Sequence, residues 1–112
     1  MASPKKINLG VFPAGEIPYD FDHTFLDSDK TPIDLTGWTV NVEIEGPGVG
    51  PYGTGTMLIS DPANGVTTYA WAAIDFTDFG KYEMLIWVTN GTYQLGSDLI
   101  TYEVYDGPGP TP

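Results

Sequence analysis

From Trp38 to Glu45 apolar and polar residues alternate without a break. Trp38, Val40, Val42 and Ile44 fall on one side, and Thr39, Asn41, Glu43 and Glu45 on the other. Only an extended chain has a side-chain period of two, so this stretch reads as a strand with one dry face and one wet face. The dry face needs a second layer to cover it. At 112 residues the chain supplies one core and not two, burying roughly 65% of the surface its unfolded form exposes.

The remaining stretches extend the same pattern. Ile7-Asn8-Leu9-Gly10-Val11-Phe12 is a short apolar piece ended by Pro13, which makes it an edge strand or an arm. Tyr19 to Leu26 places Tyr19, Phe21, His23 and Phe25 on a core face, with Asp20, Asp22 and Thr24 opposite. Asp27 to Pro32 is a turn by composition, and Gly46 to Gly55 (GPGVGPYGTG) reads as a mobile or partner-ordered loop. Strands follow at Thr56 to Ser60, Val66 to Trp71, Lys81 to Thr89, Tyr93 to Leu95 and Leu99 to Tyr105. Asn64-Gly65 and Asn90-Gly91 mark hairpins. The expected fold is all-β, a sandwich of seven to eight strands. An N-terminal arm and edge strand occupies residues 1–18, the sandwich 19–106 and a Pro/Gly-rich tail 107–112.

Lys81 to Thr89 departs from the inside/outside rule. Tyr82, Met84, Ile86 and Val88 make one face, yet Leu85 and Trp87 lie on the other. A strand apolar on both sides is covered on both sides, either by the chain's own terminal arm or by another subunit. Leu85, Trp87, Pro108 and Pro110 are therefore the interface candidates.

Just before this strand runs Asp78-Phe79-Gly80-Lys81-Tyr82. The Asp-x-Gly-x-Tyr spacing resembles the tyrosine corner of immunoglobulin-like sandwiches, in which the Tyr hydroxyl bonds back to the upstream backbone. Asp78, Gly80 and Tyr82 are the structural corner that this likeness implies. Three further pieces accompany it in order. They are Asp20 to Phe25; Pro32-Ile33-Asp34-Leu35-Thr36-Gly37 leading into Trp38; and Asp61 to Trp71, with Asp75 opening the corner piece itself. Together these span about residues 19–105 and are similar to the immunoglobulin-like N-terminal domain of phage baseplate upper proteins, found also in short phage tail and virion proteins. The resemblance implies an immunoglobulin-like β-sandwich and a non-enzymatic virion role, docking a fibre or receptor-binding component onto the tail or baseplate. Its implied partners are other virion proteins (capsid, tail or fibre subunits) and further copies of itself, and its implied location is the virion, after synthesis in the host cytoplasm. Members of that family often continue into helical or fibre-like regions. A domain ending in Pro-Gly repeats also fits a capsid decoration, or cement, protein on the phage head.

Charge excludes several classes. Fifteen acidic residues against four lysines and no arginine give a net charge of −11. Nucleic acid and anionic membrane surfaces are disfavoured, because both are bound through Lys and Arg. No cysteine is present, so disulfides and thiolate metal sites are excluded. The N-terminus lacks an apolar run of signal-peptide length.

The catalytic repertoire is thin. The chain has one His, no Cys and no Gly-x-Ser-x-Gly arrangement. His23 shares a face with Phe21 and Phe25 and reads as a core or interface histidine, with a pH switch of assembly as its functional alternative. Asp20 and Asp22 form a pair on a wet face and read as solvated acids, not as a glycosidase pair. Asp27, Asp29 and Asp34 crowd one turn and are the Ca²⁺ candidates, although the EF-hand pattern is missing. No cofactor is expected. Asn90-Gly91-Thr92 matches a glycosylation acceptor but suits a hairpin. A carbohydrate-binding module is the competing functional class, since seven Tyr and three Trp offer stacking surfaces. Trp38 alternates with core residues, however, and Tyr82 has a corner to hold.

Overall fold

The computed structural model describes residues 6–106. Pro108, Pro110 and the 107–112 tail lie outside the described residues, as do the first five residues of the N-terminal arm. Eight strands are present in the described part: β1 (Lys6–Pro13), β2 (Phe21–Thr24), β3 (Thr39–Glu45), β4 (Thr56–Asp61), β5 (Val66–Ala70), β6 (Gly80–Thr89), β7 (Gln94–Gly96) and β8 (Leu99–Tyr105). They form two packed sheets, and the fold is an all-β sandwich.

The larger sheet runs β1-β8-β6-β3, with β7 also paired to β6; the smaller runs β2-β5-β4. All pairings are antiparallel except β1 with β8, which is parallel. β1 carries an irregularity between Asn8 and Val11, where the Asn8 side-chain carbonyl accepts the Gly10 N–H at 2.9 Å and Gly10 takes φ 102°. A bulge of this kind interrupts an otherwise open edge and discourages uncontrolled pairing.

The core follows the alternation. Tyr82, Met84, Ile86 and Val88 of β6 are fully buried, as are Tyr69, Phe76 and Ile100, while Ile44, Trp71, Tyr102 and Val104 are nearly so. Trp71 meets Phe76 and Tyr102 edge to face at centroid distances of 5.0 and 5.5 Å, and Tyr102 stacks on Tyr82 at 4.6 Å. Such pairs add about 0.5–1.5 kcal/mol each beyond the area they bury.

Four segments differ from the sequence reading. Tyr19 is 98% exposed and not on the core face, because β2 starts only at Phe21 and the chain before it crosses the surface. The Gly46–Gly55 loop is tied to the core through Tyr52, Gly53 and Gly55 and not left for a partner to order. Asn64-Gly65 does link β4 to β5, but through a 3-10 turn (Pro62–Asn64) closed by Gly65 at φ 69° and not by a two-residue hairpin. Finally, β7 and β8 are one return strand with a slip. From Trp87 to Met84 is three residues, but from their partners Gly96 to Ile100 is four. The extra residue is accommodated at Ser97, whose N–H bonds to the Ile86 carbonyl at 2.8 Å and whose hydroxyl accepts the Ile86 N–H at 2.9 Å.

Candidate attachment surface and the corner that braces it

The bend into β6 is closed by its own tyrosine. The Tyr82 hydroxyl donates to the Asp78 carbonyl at 2.6 Å and accepts the Asp78 N–H at 3.1 Å. Gly80, at φ 132°, lies against Pro47, and a Cβ there would stand 2.9 Å from the proline ring. Tyr52, from the Gly-rich loop, meets the Tyr82 ring edge to face at 5.1 Å and donates its hydroxyl to the Asp78 carboxylate. Burial, and then the neighbouring Tyr52, push the Tyr82 phenol well above the ordinary tyrosine range, so it stays a neutral donor.

A second brace lies deeper. Asp75 is fully buried in the 3-10 turn Ala73–Phe76. Its Oδ2 accepts the Tyr69 hydroxyl at 2.7 Å and the Ala72 N–H at 3.0 Å, and its Oδ1 accepts the Gly53 N–H at 2.7 Å. The Asp75 carbonyl accepts the Tyr102 hydroxyl at 2.8 Å, and the Tyr69 oxygen accepts the Gly55 N–H at 2.9 Å. One carboxyl group thus ties the Gly46–Gly55 loop, the 3-10 turn and β5 together. Sequence reasoning assigned Asp75 no role of its own, nor Tyr52, Tyr69 or Tyr102. The available signal was a lone acid between Ile74 and Phe76, since an acid flanked by apolar residues is solvated only if the run is exposed.

Leu85 and Trp87 are half-buried on the outer face of the larger sheet. Leu85 pairs with Glu43, and Trp87 lies between Asn41 and Gly96. The indole lies over Gly96, where an added Cβ would stand 2.9 Å from the ring. Gly96 thus leaves room for the indole on the neighbouring strand, while the terminal tail, the intramolecular cover considered from sequence, lies outside the described residues. The indole Nε1 is buried without a hydrogen-bond partner among the described residues. Leu85 has an acidic surround, with Glu43 opposite and Glu83 two residues before it on the same face.

The remaining candidates stand apart. Asp27 Oδ1 accepts the N–H groups of Asp29 and Thr31, at 2.9 and 3.0 Å. Asp34 Oδ1 accepts the Thr36 hydroxyl at 2.6 Å and the Thr36 N–H at 3.0 Å, which holds its carboxyl below the usual range. These are local turn bonds, and among the described residues no group of three or more His, Cys, Asp or Glu is placed to hold a metal. Asp20 and Asp22 are exposed, and Asp22 accepts the Thr68 hydroxyl at 2.7 Å. No protein-family model matches the chain. No curated protein sequence matches it either.

His23 packs edge to face on Phe25 at 4.7 Å, and its Nδ1 is buried with no hydrogen-bond partner among the described residues. Burial lowers its pKa below 6.5, and the charge of Asp98 opposes the shift without reversing it. The unfolded chain therefore binds the proton more readily than the fold does. Stability from this group is intact above about pH 6.5 and falls as pH drops through the lower, folded value. Urea midpoints are expected to fall between about pH 7 and about pH 5, and to fall less in His23→Phe, which keeps a ring there. An unchanged slope in that variant overturns the assignment.

Proposed function

We propose that this chain is a non-enzymatic structural module of a phage virion, an immunoglobulin-like adaptor that seats a tail, baseplate or fibre component. The observation that carries the reading is the bend at Asp78 to Tyr82, whose hydroxyl bonds back to the Asp78 backbone at the position where the four-piece resemblance puts such a corner. One brace, at Tyr82, closes the bend into β6, and the other, at Asp75, ties β5 of the smaller sheet to β8 of the larger through the Tyr69 and Tyr102 hydroxyls. A rigid surface docks with little ordering cost, as an attachment part requires. The docking face we assign is the outer side of the larger sheet, centred on Leu85, where an apolar side chain stands half-buried among acids. A net charge of −11 keeps free subunits apart before they dock.

Mass spectrometry of particles purified from a phage that carries this gene tests both parts. The chain is expected at a fixed copy ratio to the tail proteins. Leu85→Glu is expected to fold with its melting temperature nearly unchanged and to incorporate at least about tenfold less well, as loss of a central interface anchor does. Particles without the chain would remove the virion reading. Normal incorporation of Leu85→Glu would remove only the assigned face.

A further inference from the structure

On the opposite side of the molecule, where the chain crosses from β1 to β2, lies an open depression lined by Glu16, Ile17, Tyr19, Asp20 and Asp22. We infer that this depression is a docking site for an extended, arginine- or lysine-bearing segment of a partner protein. Tyr19 is 98% exposed and Ile17 57% exposed, an apolar pair with no cover among the described residues. Their backbone is nevertheless fixed at both ends. The Gly15 N–H bonds to the Phe76 carbonyl at 3.1 Å, and the Trp71 indole N–H bonds to the Tyr19 carbonyl at 3.0 Å. The anchored backbone lowers the ordering cost of binding at this exposed ring.

The chemistry of the lining selects that ligand. Glu16, Asp20 and Asp22 line the same depression as Tyr19, and among the described residues no lysine lines it. A guanidinium or ammonium group over the phenol face gains a cation–π contact while the acids neutralise its charge. β2 is also the edge of its sheet, so its far side carries no strand partner among the described residues and accepts an extended segment. Nucleic acid and anionic lipid are repelled by the same acids. A second copy of this chain brings a net charge of −11 to the same face. The inference is independent of the virion reading and survives its failure.

The test uses the full chain and a fluorescein-labelled peptide of alternating arginine and serine, followed by anisotropy at about 0.15 M salt, where long-range attraction is screened. Saturable binding is expected. Tyr19→Ala is expected to weaken it about threefold to fivefold, and the pair Asp20→Asn with Asp22→Asn about tenfold. Glu43→Gln, on the other sheet, should leave it unchanged. The site is overturned by the absence of saturable binding, by an unchanged affinity in Tyr19→Ala, or by equal losses in Glu43→Gln and the Asp pair, which mark unspecific attraction to an acidic protein. Self-association that Tyr19→Ala abolishes also overturns it, in favour of a contact between copies.

Discussion

Asp75→Ala is expected to destabilise the fold by about 3–5 kcal/mol, the largest single effect foreseen for this chain. The substitution leaves the Gly53 N–H, the Ala72 N–H and the Tyr69 hydroxyl without their acceptor, the first two part-buried and the third fully buried. Each stranded donor costs about 1–3 kcal/mol. A domain of this size has only about 5–15 kcal/mol in total, so a large part of the folding free energy is at stake. Urea denaturation measures it, with Tyr69→Phe as the graded comparison. That variant removes one donor and should cost about 1–2 kcal/mol. A loss below about 1 kcal/mol in Asp75→Ala would mean that the Gly46–Gly55 loop and β5 are held by something other than the carboxylate.

Gly55→Ala is expected to cost more than about 3 kcal/mol, for a steric reason. A Cβ on Gly55 collides with the Ala70 carbonyl oxygen and stands 2.9 Å from the Tyr69 hydroxyl oxygen and 3.0 Å from the Ala72 nitrogen. Two of these three neighbours are backbone and none is a flexible chain end, so relief requires β5 or the loop to move. Gly91→Ala separates this from ordinary glycine effects. Gly91 has φ 93° but nothing within 4 Å of an added Cβ, so it should lose only about 1 kcal/mol through backbone strain. Equal thermal shifts in the two variants would show that space at Gly55 is not limiting.

The parts of the fold that were legible in advance are those set by neighbours in sequence. The alternation from Trp38 to Glu45 reappears as β3, with Ile44 buried and Glu43 and Glu45 exposed. Tyr82, Met84, Ile86 and Val88 form the buried face of β6, as their spacing required. Tyr19 failed for a local reason of its own: period two extends only as far as the strand does, and the chain there is not yet in the sheet. Composition cannot say where an oxygen points: of the Ca²⁺ candidates, Asp27 and Asp34 accept backbone and hydroxyl donors at most four residues away.

What residue order alone determined, then, is an all-β chain, the inner and outer faces of β3 and β6, and the placing of the Asp27 to Pro32 and Asn90-Gly91 turns. All of these follow from side-chain period and backbone preference within a few residues. Tertiary structure decided the rest: the parallel pairing of β1 with β8, the role of Asp75, the room that Gly96 leaves for Trp87 and the outward ring of Tyr19. Most of these join residues far apart along the chain, as Gly53 and Asp75 are. For Asp75 the energy that selects these contacts comes from burying polar groups with the right partner, and no local pattern of residues carries that information.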